Sequence, residues 1–224
     1  MKALILGMSG TGTSYFASLL SALGWSDAPP TFSLARYGYE THESLVGRAV
    51  NRIALGGEGR SWPVERWHAY FHPRNQIDDT ECHEFAQNFV TMNDSTPGDW
   101  YFKNPESLIM FPSIWNRFEW DYVIGVYRHP KESVLRMHSG QREHRRKLSW
   151  IRWMEEIVSC STVVVRFPDD ADRLCDALGV DMPSGFRLAK GRPRTRIAEE
   201  PEPWADQTWA LLESVRWQRE IVGA

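Results

Sequence analysis

The chain has 224 residues, with 26 lysines and arginines against 29 aspartates and glutamates, a formal net charge of −3. That balance excludes a general nucleic-acid binder and requires any electropositive site to be local, while the length suits one α/β domain with insertions. Cys82, Cys160 and Cys175 lie far apart without a C-x-x-C pair, which points to reduced thiols and away from a disulfide framework or a zinc site.

Residues 2–6 read as a buried strand, and 13–23 as a helix with apolar positions at Phe16, Leu19, Leu20 and Leu23, closed by Gly24. The stretch 27–98 shows no comparably clean parallel strand; its helical patches at 43–55 and 80–92 suggest a substrate-side cap inserted into the single domain 1–224. Strand signals return at 99–102, 122–127 and 162–167, with helical stretches at 106–118, 131–138, from Leu148 onward, and at 169–178 up to Gly179. The run 142–147 reads as a solvated basic helix face, and the Arg-, Pro- and Glu-rich stretch 190–203 as a loop or arm. Strands alternating with helices imply a parallel sheet covered on both faces, with ligands at the carboxyl ends of the strands. The expected fold is therefore α/β: a P-loop-type three-layer sandwich with a central parallel sheet and a helical cap insertion.

The first strand runs into GMSGTGTS, residues 7–14. The glycine spacing is that of a phosphate-binding loop, with Thr13 in place of the lysine. Backbone N–H groups of such a loop, backed by a helix N-terminus, cradle an anion whatever the side chains are. Gly10 and Gly12 supply conformational freedom; Thr11, Thr13 and Ser14 add hydroxyls. Without the lysine, a Mg-nucleoside triphosphate site is disfavoured, and the strand ends offer Lys103, Arg128 and Phe167 instead of an acidic Walker-B residue.

In this order and spacing, Gly10–Thr11–Gly12–Thr13–Ser14, Lys103–Asn104–Pro105 and Arg128–His129–Pro130 resemble the sulfotransferases that use 3'-phosphoadenosine-5'-phosphosulfate. Glu40–Thr41–His42–Glu43, followed by residues 51–57, is similar to their substrate-side region, and the likeness touches residues 1–180. The resemblance implies a donor held by the loop, by Arg128 on the 3'-phosphate and by a C-terminal basic segment that includes Arg192. Two positions depart from the family pattern. Gly10 stands where a basic residue is usual, for which Lys103 is the expected substitute, and Arg136 replaces a serine; Ser133, one turn earlier, can share its face, and Arg136 can itself bind phosphate.

Sulfuryl transfer needs fixed donors on the transferred group, charge stabilisation at the leaving group and a base for the acceptor. Glu40 is the expected base, with His42 in reserve and Glu43 beside it, and Lys103 is the expected cation at the leaving group. No metal is expected. The acceptor is expected to be a small-molecule or glycan hydroxyl or amine. Eleven tryptophans read mainly as packing, with a minority lining an acceptor pocket. With no apolar run long enough to span a bilayer and no leader pattern at the start, the expected setting is cytoplasmic, without nucleic-acid or membrane partners. A nucleotide-dependent kinase and a non-catalytic nucleotide-binding protein of the same fold are the alternatives.

Overall fold

The computed structural model describes residues 1–8, 10–28, 31–32, 42–44, 80–105, 107–112, 114–136, 143–186 and 203–218. Strand β1 (Lys2–Leu6) sends Ala3 and Ile5 into one apolar core and Leu4 and Leu6 into another. A strand buried on both faces must be apolar throughout, which is why this run shows no alternation. Among the described residues, β2 (Ser26–Asp27), β5 (Trp100–Lys103), β1, β6 (Tyr122–Tyr127) and β7 (Val163–Arg166) form one parallel sheet in that order. The short strands β3 (Thr31–Phe32) and β4 (Glu43–Ser44) pair antiparallel as a separate unit.

Helices cover both faces. On one, α1 (Thr13–Ala22) and α6 (Ala171–Leu178) pack Phe16, Leu19, Leu20 and Leu174 onto Ile5, Tyr101 and Ile124. On the other, α2 (Thr80–Asp94), the short α3 (Ser107–Met110), α5 (Glu143–Cys160) and α7 (Asp206–Gln218) enclose Leu6, Phe102, Tyr127 and Val164. Phe89 of α2 meets Trp100, Phe102 and Trp115 edge-on, the geometry the ring quadrupole favours. Each fully buried Leu, Ile or Phe contributes about 1.5–3 kcal/mol, so these two layers supply the main driving force for the sheet. Trp100, Trp115, Trp150 and Trp209 are core residues; Trp62 and Trp67 lie outside the described residues.

The topology also fixes where a crevice opens. The chain leaves β1 through α1 on one face, whereas after β6 it passes through α4 (Pro130–Arg136) to α5 on the other face. Helices diverge to opposite faces at the carboxyl ends of β1 and β6, the place where open parallel sheets generally bind ligands.

Several local expectations are corrected. Glu43–Ser44 is strand β4, not the start of a helix, because pairing with Thr31–Phe32 overrides local propensity; residues 45–55 lie outside the described set. The helix expected over 106–118 is reduced to Ser107–Met110 and a 3-10 turn, Trp115–Arg117, since Pro112 between them cannot donate an N–H. The basic run expected as a helix face and the run from Leu148 form one helix, α5, from Glu143, and α7 had no sequence-based expectation. Both ends of the 27–98 stretch belong to the sandwich: Asp27 is in edge strand β2, and Cys82, Ala86, Phe89 and Val90 of α2 lie in the core.

Candidate functional site

The glycine loop leaves the central strand and turns into α1. Thr11 is fully buried, and both its backbone N–H and its hydroxyl donate to the Met8 carbonyl, at 3.1 and 2.8 Å. Its single hydroxyl hydrogen therefore closes the turn and is not aimed at a ligand. Gly12 has φ 105°, and a Cβ there would lie 2.3 Å from the Phe167 ring. A Cβ on Gly7 would lie 2.7 Å from Thr13 and 2.9 Å from the Val126 carbonyl. Glycine at these two places lets the loop lie flat against the ends of β6 and β7.

Lys103 ends β5, in register with Ile5 of β1. It shares the sheet face of Tyr101, two residues earlier, because strand side chains alternate. That face carries α1, and the Lys103 ammonium reaches the first helical turn, 3.3 Å from the Ser14 hydroxyl and 3.3 Å from Glu43 of β4. Only 2% of its side chain is exposed. Burial pushes its pKa below the ordinary lysine value, against the opposing attraction of Glu43 and Asp27. Lys103 thus joins the sheet, the loop helix and the small β3–β4 unit.

A second polar cluster lies beside it. His42 is buried and left-handed, φ 52°. Its Nδ1 lies 2.8 Å from Asp27 Oδ2 and 3.2 Å from the Tyr101 hydroxyl, and its Nε2 lies 3.0 Å from the Ser18 hydroxyl. Ser18 in turn donates to the Ser14 carbonyl at 2.9 Å. The carboxylate of Asp27 can only accept, so it draws a proton to Nδ1 and directs Nε2 toward α1.

From the other side, Arg128 follows the end of β6 and its Nη1 donates to the Gly10 carbonyl at 3.4 Å. The guanidinium lies 4.8 Å from the centre of the Phe167 ring, within cation–π range. Its Nε and Nη2 both donate to Oε2 of Glu132, one helical turn on. Ser133 is buried, and its hydroxyl donates to the Arg128 carbonyl at 3.4 Å.

Three strand ends, those of β1, β5 and β6, thus meet at one loop, with a cation from each of the two outer ones. Family models, curated proteins and solved structures give no match to this chain.

Of the residues expected from sequence, Gly10, Thr11, Gly12, Thr13 and Ser14 form the loop and the first turn of α1, Lys103 and Arg128 contact them, and Ser133 and His42 are one residue further out, through Arg128 and Ser18. Arg136 ends α4, and its side chain is outside the described residues, as are Glu40 and Arg192 entirely. Sequence reasoning overlooked Asp27 and Glu132. Arg128 and Glu132 are only four positions apart, a separation short enough to suggest a local pair; the contact between Asp27 and His42 spans 15 positions and had no signal. Among the described residues no group of three or more His, Cys, Asp and Glu is placed to hold a metal ion, and no helix is long and apolar enough to cross a membrane.

Proposed function

We propose that this chain is a P-loop-type sulfotransferase that takes 3'-phosphoadenosine-5'-phosphosulfate and an acceptor hydroxyl or amine. The observation that carries the reading is the Lys103 ammonium at 3.3 Å from Ser14, which brings to the glycine loop the cation that Gly10 and Thr13 do not supply. The residues present suit the donor: a glycine loop packed closely on the ends of β6 and β7, Arg128 for a phosphate, and Lys103 for charge growing on a leaving oxygen. When bound, the donor contributes the sulfuryl group and a phosphate as leaving group. Of the described candidates for the base, His42 is the one held in a fixed orientation, with Nδ1 at Asp27 and Nε2 at the Ser18 hydroxyl, and it would have to turn from Ser18 to take a proton from an acceptor. Glu40 retains its sequence-based assignment as the first choice, and Glu43 is engaged by Lys103.

The buried cation beside the loop also suits a nucleoside triphosphate, so the kinase reading is tested in parallel. Melting temperature is measured with the desulfated donor 3'-phosphoadenosine-5'-phosphate, with ATP plus magnesium, and with AMP, because a ligand that binds only the folded state raises it. The sulfotransferase reading expects the largest rise with the bisphosphate in the absence of metal. A larger rise with magnesium and ATP would replace it with the kinase, and no rise with any of the three would remove nucleotide chemistry from this crevice.

A further inference from the structure

Arg128 has partners of two kinds. One terminal nitrogen donates to the Gly10 carbonyl of the loop, while Nε and Nη2 both donate to Glu132. A guanidinium presents its N–H donors in a fixed planar fork, and the edge formed by Nε and one terminal nitrogen is among those that meet a carboxylate or phosphate side-on. The Phe167 ring packs on the guanidinium at 4.8 Å, and only 12% of the Arg128 side chain is exposed, so the group has little room to turn and offer another edge. Glu132 therefore occupies the donor edge that an oxyanion at this crevice would use.

Resting on the reading above, we propose that Glu132 is an internal competitor for Arg128: a positioning residue that orients the guanidinium and must release it before a ligand's phosphate can take its place. The apparent affinity of the site is then reduced by the fraction of molecules in which Arg128 is paired with Glu132. Lys103 has the matching arrangement with Glu43, 3.3 Å away, so each of the two cations at the loop has a carboxylate partner within the chain. The pairing of Arg128 is local, from the residue after β6 to Glu132 in α4, and so is removable without disturbing the sheet.

Calorimetry with 3'-phosphoadenosine-5'-phosphate on the full chain tests this. Glu132→Gln keeps the shape and removes the charge, and it is expected to bind about tenfold more tightly than wild type, the size of the competition when nine molecules in ten are paired. In an Arg128→Ala background the same substitution should bring no gain, since the competition acts through the guanidinium. Glu119→Gln changes net charge equally at an exposed site before β6, on the opposite edge of the sheet, and should leave affinity unchanged. Unchanged or weaker binding by Glu132→Gln overturns the proposal while leaving the nucleotide reading intact. An equal gain in Glu119→Gln or in the Arg128→Ala background also overturns it, because the effect would then be net charge alone. Binding by Glu132→Gln but not by wild type supports the proposal, whereas binding by neither overturns it together with the nucleotide reading. Glu132→Ser carries the same test if the amide disturbs α4.

Discussion

Two charged clusters sit at the carboxyl edge of this sheet, and they are built differently. In the cluster under α7, Arg216 donates to both oxygens of Asp170 at 2.7 and 2.5 Å and to Glu213 at 2.9 Å. Glu213 also accepts from the Tyr127 hydroxyl at 2.5 Å and from Arg166 at 3.3 Å, and Asp170 accepts from the Arg166 backbone at 2.7 Å. Burial works against the Arg216 charge but the Asp170 bonds outweigh it and raise its pKa, while burial and Glu213 push the Tyr127 hydroxyl up. At the glycine loop, by contrast, Lys103 and Arg128 meet Ser14 and Gly10 at 3.3 and 3.4 Å. The first cluster fastens a helix to the sheet; the second brings Lys103 and Arg128, each paired with a carboxylate of the chain, to the glycine loop. Charge at this sheet edge is thus distinguished by what it joins: a helix to the sheet in one cluster, two strand ends to the glycine loop in the other.

The contrast is tested by removing one element at a time. The largest expected effect is on stability at the clamp: Asp170→Ala removes the bidentate partner of a buried guanidinium and leaves it Glu213 alone, which should cost about 3 kcal/mol, the lower end for a broken buried pair, read from urea melts. In the loop, Gly12→Ala forces a side chain into a φ of 105° and against Phe167; strain of this kind costs about 1–3 kcal/mol, and binding of the bisphosphate should fall with it. Arg128→Ala should weaken bisphosphate binding by about 1.5–3 kcal/mol, the scale of a hydrogen bond to a charged group, while the melting temperature changes far less than in Asp170→Ala. A melting loss as large as that of the clamp variant would make Arg128 a structural residue.

The smallest effect concerns pH. Burial lowers the Lys103 pKa in the folded chain, so between that value and the unfolded lysine value of about 10.4 the unfolded state binds more protons. Stability should therefore rise with pH in that interval. Lys103→Met should flatten the rise, as measured by urea melts across the alkaline range; an unchanged slope would assign it to other groups.

Much of the framework was legible in the chain itself. The strands at Lys2–Leu6 and Tyr122–Tyr127 are apolar runs long enough to identify alone, and the helices after them carry the 3.6-residue period. Strand β2 was not legible, because two residues, Ser26 and Asp27, carry no pattern and become a strand only by pairing with Trp100 and Tyr101. Helix α7 was overlooked although Trp209, Leu212 and Val215 recur every third residue; Trp209 and Leu212 are buried and Val215 packs against the same core.

The site divides in the same way. Local sequence determined the glycine loop, the lysine and arginine at two strand ends, and the alternation that assigns each side chain to a face, because these depend on neighbours a few residues away. Only the tertiary structure decided that Ile5 lies in register with Lys103, which turns the lysine toward Ser14. It alone decided that Asp27 meets His42. Strand order and register are set by the packing of whole layers against two cores, and no short window of sequence contains that information.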